Sequence, residues 1–168
     1  MSGFATGGRL LAAVLASVAL APAALGSDTI LEFDTMAAVD RPYTGSANAI
    51  RGVNGGGLPW IIDSGKGEVK ADGRVEVKVR GLVLADDPAV PAARRLTNPF
   101  ATFSVVVSCL SRDAGGAAAT VNVSAGGFPA TPTGDAKIEA AVDLPRPCIA
   151  PIVFVTSPTG AWFAATGN

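Results

Sequence analysis

The fold class is decided by one stretch of the chain, Arg74-Val75-Glu76-Val77-Lys78-Val79-Arg80. Valines and charged residues alternate in it without interruption, so one face of the stretch is apolar and the other is charged. Successive side chains point to opposite faces of a β-strand, whereas an amphipathic helix needs apolar residues spaced by three and four positions. The stretch therefore predicts a strand with one face in a core and the other in solvent.

The residues before this stretch predict its partner strand. Gly67–Lys70 shows the same alternation, and Ala71–Gly73 lies between the two runs. A two-residue turn would set Val69 opposite Glu76 and mix the apolar and charged faces. A three-residue loop sets Val69 opposite Val75, so it predicts a hairpin in which the last loop residue, a glycine, takes a positive φ.

Other segments of the chain have the composition and the period of strands. Ala117–Ser124 points its odd positions inward and Asp135–Leu144 its even positions, and we expect these to form a second strand pair around a loop at Gly126–Gly134. The further expected strands are Thr29–Met36, Leu58–Ile62, Leu82–Leu84, Phe100–Ser111 and Ile149–Thr156. Ala89–Arg95 is the only helix candidate. Eight or nine short strands favour an all-β fold, a two-layer antiparallel β-sandwich.

The beginning of the chain is typical of a signal peptide. Leu10–Leu20 is an apolar run, and Ala24 and Gly26 are the small residues that precede a cleavage site. A membrane anchor is the alternative, although about 11 apolar residues are too few to span about 30 Å of hydrocarbon. We therefore expect a cleaved signal peptide over residues 1–26, a single β-sandwich domain over residues 27–168, secretion, and no membrane association after cleavage.

The two cysteines of an exported chain, Cys109 and Cys148, most simply form one disulfide. The loop that it would close holds about 40 residues, for which the chain-entropy model gives about 4 kcal/mol of stabilisation. A buried pair of free thiols is the open alternative. A redox role is disfavoured because the cysteines are far apart in sequence and no Cys-x-x-Cys motif is present.

Composition excludes several classes of function. The 168 residues include 13 Lys and Arg, 14 Asp and Glu, and no histidine. Nucleic-acid binding needs clustered basic residues, which this balance does not supply. Histidine-based triads and most catalytic zinc sites need an imidazole. We therefore expect no catalytic residue, no metal ligand, no cofactor and no nucleic-acid partner.

Three segments could carry chemistry, and each has a structural alternative that we favour. Asp86-Asp87-Pro88 is the only adjacent acid pair, but neighbours on an extended chain face opposite ways, so a turn before the proline is favoured over an acid/base pair. Asp63–Glu68 has calcium-like oxygen spacing, yet it includes a lysine and is shorter than an EF-hand loop. Gly52–Gly57 lacks the Lys-Ser/Thr pair and the helix of a phosphate-binding loop, which favours a turn.

Aromatic residues are the candidates for ligand binding. Trp60 follows a Gly-Gly-Gly-Leu-Pro sequence, and an exposed Trp60 or Tyr43 could stack on a sugar ring or anchor a protein partner. The alternative, which we favour for Trp60, places this residue in the core, where it would seal one end of the sandwich. Trp162, within Ala-Trp-Phe-Ala, is expected in the core for the same reason.

Several motifs together resemble a group of small secreted bacterial proteins of uncharacterised function. They are Leu31–Met36, Arg51–Val53 followed by Gly55–Trp60, Val79–Leu84, Val107–Leu110, Pro147–Pro151 and Ala161–Ala164. The resemblance extends over most of the chain after the predicted signal peptide. It implies a shared fold and export, and it implies no reaction, ligand or catalytic residue.

The sequence therefore predicts a secreted, non-catalytic binding module for envelope carbohydrate or for a protein partner. One alternative is a structural or self-associating exoprotein, because the low charge and the Ala/Val-rich strands favour pairing at sheet edges. A second alternative is a hydrolase that uses carboxylates in place of histidine.

Overall fold

The computed structural model describes residues 28–166, together with residues 1 and 3. The predicted signal peptide thus lies, apart from those two positions, outside the described residues. The strands of the described part are β1 (Thr29–Phe33), β2 (Met36–Ala38), β3 (Trp60–Ile61), β4 (Ser64–Lys70), β5 (Arg74–Arg80), β6 (Val83–Leu84), β7 (Thr102–Arg112), β8 (Ala118–Pro129), β9 (Ala136–Ala141), β10 (Ile149–Thr156) and β11 (Trp162–Thr166).

These strands form two main antiparallel sheets that enclose one core. The first sheet has the strand order β1-β4-β5-β9, and the second has the order β2-β11-β10-β7-β8. A small third sheet pairs β3 with β6. The largest fully buried side chains of the core include Phe103, Phe154, Leu82, Leu84 and Ile138. The predicted all-β, two-layer antiparallel sandwich with one disulfide is confirmed.

The β4–β5 hairpin forms in the predicted register. Val69 lies opposite Val75 and Gly67 lies opposite Val77. The amide of Gly73 donates to the carbonyl oxygen of Lys70 at 2.9 Å, and the φ of Gly73 is +91°. The valines of β5 are buried and its charged side chains are exposed, as the alternation requires.

The expected single strand over Thr29–Met36 is wrong. The chain bends after Phe33, and the two halves belong to different layers, because β1 pairs with β4 whereas β2 pairs with β11. Val83–Leu84 likewise pairs with Trp60–Ile61 in the small sheet. Strands of two or three residues are too short to show an alternating pattern, which explains why the chain has more strands than the eight or nine expected.

The second expected strand pair is only half correct. The inward positions are as predicted, but β8 pairs with β7 and β9 pairs with β5, so the two segments lie in different sheets. The expected loop at Gly126–Gly134 is also shorter than predicted. The strand β8 continues to Pro129 through a bulge, where Gly127 has a φ of +86°.

The helix candidate Ala89–Arg95 forms only a single 3₁₀ turn, Ala92–Arg94. Pro91 precedes this turn with an extended ψ of 131°, and Arg95 after it is extended as well. Pro91 disfavours helical backbone in the residue before it, and Leu96 has a φ of +55°, so helical backbone is interrupted on both sides of this turn.

The disulfide joins the positions that the sequence indicated. Cys109 lies within β7 with its side chain in the core, and Cys148 directly precedes β10. The S–S distance is 2.03 Å and the two Cα atoms are 4.9 Å apart. The bond ties a central strand of the second sheet to the start of its neighbour.

Candidate functional site

Trp60 lies in an aromatic cluster inside the sandwich. Only 4% of its surface is exposed. Its ring stacks on Phe163 with 3.9 Å between the centroids, and Phe100 and Phe103 lie at 6.2 and 6.5 Å. Trp60 therefore offers no free ring face to a ligand in this structure, and substituting it would test core packing rather than binding.

The glycine-rich segment before Trp60 passes closely over this cluster. A Cβ at Gly55 would collide with the carbonyl oxygen of Tyr43, and a Cβ at Gly56 would lie 3.0 Å from the ring of Phe163. The segment ends in the two-residue strand β3 and not in a helix. Gly55 and Gly56 are needed for this close packing, and the segment does not have the geometry of a phosphate-binding loop.

Tyr43 is the predicted ligand-binding residue that the surface presents. Its side chain belongs to the loop between β2 and β3, and 46% of the residue is exposed. The structure thus separates the two candidates, with Tyr43 outside and Trp60 inside. Trp162 is also buried, and its ring lies 6.1 Å from that of Phe154.

The adjacent acids Asp86 and Asp87 point to different arginines. Asp87 accepts two hydrogen bonds from Arg41, at 2.7 and 3.3 Å, and one from the amide of Ala89 at 2.7 Å. Asp86 pairs with Arg95 at 3.2 Å. The hydrogen bonds from Arg41 and then from Ala89 lower the pKa of Asp87. An acid held in its ionised form cannot donate a proton, so this geometry is that of an anchored turn.

The calcium-like segment Asp63–Glu68 enters the strand β4, so its side chains alternate between the two faces of the first sheet. Across residues 28–166 the structure shows no group of three or more Cys, Asp or Glu residues that could hold a metal ion.

The outer face of the first sheet sorts its charges into rows. Glu68 lies opposite Glu76, and Lys66 lies opposite Lys78. The complete rows run across the strands as Glu32, Glu68, Glu76 and Glu139, and as Lys66, Lys78 and Lys137. A concavity of about 660 Å³ lies between the rows. Like charges directly opposite each other are destabilising, so these rows reduce the stability of the sheet.

Ion pairs along the strands offset part of this repulsion. Lys137 contacts Glu139 at 2.5 Å, and Lys70 contacts Glu68 at 3.1 Å. The hydrogen bond to Glu139, followed by its charge, raises the pKa of Lys137. The concavity is lined by charged side chains of both signs and by one half-buried aromatic residue, Phe33, so its chemistry is mainly that of a solvated, mixed-charge surface.

The strand β8 is the last strand of the second sheet, and its segment Ala118–Ala125 is called the β8 edge here. The strand pairs with β7 on one side, and none of the strands within residues 28–166 pairs with its other side. Eight consecutive residue pairs with β7, from Ala125 to Ala118, follow each other without a break. The segment 114–134 contains no charged residue. An exposed, regular and uncharged edge strand is a template for pairing with another chain.

The hydrogen bonds of the neighbouring turn show which groups face outward. The amide of Asp113 donates to the carbonyl oxygen of Ala117 at 2.9 Å, and the amide of Ala117 donates to Oδ1 of Asp113, so the backbone groups of these two residues face each other. Such pairs alternate along an antiparallel ladder, so the odd residues of the β8 edge bond to β7. The outward N–H and C=O groups therefore belong to the even residues, which are Ala118, Thr120, Asn122 and Ser124.

The other sheet edges are short or charged. The strand β2 has three residues, β1 has five with Glu32 among them, and β9 carries Lys137 and Glu139. Short length and charge are the usual protections of an edge against pairing with another chain. Among the described strands, β8 is the one edge strand that is both long and free of charged residues.

Sequence reasoning identified the low charge of these strands but not the β8 edge. The uncharged segment 114–134 is visible in the sequence, whereas the position of β8 at the end of a sheet depends on long-range pairing. Comparison of the chain with protein-family models, with curated proteins and with solved structures finds no match. The β8 edge is therefore the feature of the structure that best supports a function.

Proposed function

We propose that the protein is a secreted, non-catalytic binding module that recruits a protein partner by adding a strand of that partner to the β8 edge. The observation that carries this proposal is the row of outward backbone groups at four alternate residues of an uncharged, unbroken edge. In β-strand addition, main-chain hydrogen bonds supply the affinity, and alternate side chains supply the specificity.

The side chains beside the β8 edge suit an extended peptide. Thr120, Asn122 and Ser124 are exposed on one face, where Thr120 and Ser124 offer hydroxyl groups and the side-chain amide of Asn122 donates to the carbonyl oxygen of Arg51 at 3.0 Å. Val121 and Val123 are half-buried on the other face and offer apolar contact. A partner strand with polar and apolar residues in alternation matches both faces, because directly opposite residues of an antiparallel pair point to the same side.

Export of the protein is part of the proposal. The disulfide between Cys109 and Cys148 supports it, because such bonds persist in oxidising compartments outside the cytoplasm. Within residues 28–166, no helix has the length and apolarity that crossing a membrane requires.

Two other candidate functions have weaker support. Binding of envelope carbohydrate would rest on Tyr43 as the exposed aromatic, since Trp60 is covered by its ring neighbours. A carboxylate hydrolase would need two acids that face one substrate, whereas Asp86 and Asp87 are turned toward different arginines.

The proposal is tested with a fluorescent nine-residue peptide of alternating Val and Thr with a lysine at each end. Its binding is measured by fluorescence anisotropy with the wild-type protein and with Thr120→Pro. The amide of Thr120 faces outward, so proline should leave the β7–β8 ladder intact while removing one donor from the β8 edge. We expect binding of the peptide by the wild type and at least tenfold weaker binding by Thr120→Pro.

Tyr43→Ala is the matched control for this experiment, because it alters the exposed aromatic and leaves β8 unchanged. We expect it to bind the peptide as the wild type does. The proposal fails if the wild type does not bind the peptide at millimolar concentration, or if Thr120→Pro binds it as well as the wild type.

A further inference from the structure

We infer that the strand added at the β8 edge is the same strand of a second copy, so that two molecules join their five-stranded sheets into one continuous sheet. This inference rests on the proposed function and names the partner at the same site. A two-fold axis relates identical strands in an antiparallel arrangement, and such an interface uses the same surface patch on both molecules.

One register satisfies every outward group of the regular edge. If Val121 lies on the two-fold axis, Ala118 meets Ser124 of the second copy, and Thr120 meets Asn122 of the second copy. All four are even residues, whose N–H and C=O groups face outward. Because each such pair exchanges two hydrogen bonds, the interface would contain about eight.

The side chains are compatible in this register. On one face, hydroxyl, amide and methyl groups meet each other, and on the other face Val121 meets Val121 of the second copy. No like charges oppose each other, because residues 114–134 are uncharged. Beyond the segment, Gly116 meets Gly126 of the second copy, so no side chain crowds the point where the turn of one molecule passes the bulge of the other.

The charge pattern of the molecule favours a second copy as the occupant. A partner selected for its charge would need complementary charges on the strand it joins, and the β8 edge has none. The edges β1 and β9 of the first sheet do carry charged side chains. Self-pairing needs only neutrality and a symmetrical register, and the β8 edge provides both.

The register is tested by cysteine cross-linking between two variants of the protein, Ala118→Cys and Ser124→Cys. In the inferred register these positions are opposite each other, with Cα atoms about 5.5 Å apart, which is a distance that a disulfide can span. The same position in the two copies would be separated by six residues of strand, about 20 Å. We expect a disulfide-linked dimer when the two variants are mixed and oxidised, and none when either variant is oxidised alone.

Sedimentation equilibrium of the purified protein supplies the second measurement. We expect the wild type to dimerise with rising concentration and Thr120→Pro to have a dimer dissociation constant at least tenfold higher. A wild type that stays monomeric at millimolar concentration overturns the inference, as does cross-linking of either cysteine variant by itself. If the Val/Thr peptide still binds at the β8 edge in that case, only the self-pairing fails and the proposed function stands.

Discussion

At the scale of single residues, Asp87 links two loops through its ion pair with Arg41. The hydrogen bonds from Arg41 and from the amide of Ala89 lower the pKa of Asp87 below its ordinary value of 3.8. A carboxyl group whose pKa is lower in the folded state stabilises the fold above its unfolded pKa, and this contribution is lost as the pH falls through the folded pKa. The interaction should therefore stabilise the protein at neutral pH and weaken below about pH 4.

The measurement is urea denaturation of the wild type and of Asp87→Asn between pH 7 and pH 2.5. We expect the variant to be less stable at pH 7 and the difference to shrink as the pH falls below 3.8. Arg41→Gln should produce a similar loss, and the double variant should lose little more than either single variant, because the two side chains form one interaction. A difference that is constant across this pH range would contradict the assignment.

Some residue roles could be predicted from the sequence and others could not. The inward direction of Cys109 follows from the alternation within β7, and the structure places it in the core. The role of Arg51 does not follow from any local pattern. Its guanidinium donates to the carbonyl oxygens of Ser108 and Ala150 at 3.1 and 2.8 Å, across distant parts of the chain. The pairing of β10 with β7 also shifts register between Ile149 and Ile152, where Pro151 has no N–H to donate to the ladder. The position of this irregularity is visible only in the folded chain.

At the scale of elements, the β4–β5 hairpin shows how far local reasoning reaches. A three-residue loop keeps Val69 and Val75 on the same face and a two-residue turn does not, so the alternation favours both the observed register and the positive φ of Gly73. The division of Thr29–Met36 between two sheets has no such local cause. It depends on which strands lie beside each half, and that pairing is long-range.

The turn glycines allow a matched prediction for this element. Gly73 and Gly116 have φ values of +91° and +86°, so both are in the left-handed region. A Cβ at Gly73 would collide with the carbonyl oxygen of Val142, whereas a Cβ at Gly116 would meet nothing within 4 Å. We expect Gly116→Ala to lower the free energy of unfolding by about 1 kcal/mol and Gly73→Ala by at least about 2 kcal/mol.

Urea denaturation of the two glycine variants measures this difference. Both positions have a similar positive φ, so an alanine has the same backbone strain at each. The additional loss of unfolding free energy in Gly73→Ala therefore reports the collision with Val142. Equal losses for the two variants would show that the packing around Gly73 relaxes without cost.

At the scale of the whole molecule, the disulfide is the feature with the largest single predicted effect. Cys109 and Cys148 are separated by 39 positions, and a cross-link over a loop of this size is worth about 4 kcal/mol in the chain-entropy model. We expect the double variant Cys109→Ala/Cys148→Ala to lose between about 2 and 5 kcal/mol of unfolding free energy. Guanidinium denaturation of both proteins measures it, and an unchanged unfolding free energy would contradict the prediction.

The sandwich as a whole could be predicted because many short strands with one apolar face bury that face most simply in two layers. The assignment of each strand to a sheet could not be predicted, since it depends on pairing between residues far apart in sequence. The candidate site, too, could be predicted from the sequence only in part. The lack of charge over residues 114–134 is a property of the sequence, whereas the exposed edge is a property of the assembled sheet.

Residue-resolved amide hydrogen exchange along the β8 edge tests the central claim most directly. In dilute protein, we expect slow exchange at the amides of Val121 and Val123, which bond to β7, and fast exchange at those of Thr120, Asn122 and Ser124, which face outward. Raising the protein concentration should slow exchange at the outward amides alone. Equal protection of both sets in dilute protein would contradict the exposed edge, and outward amides that stay unprotected at millimolar concentration would contradict the self-pairing.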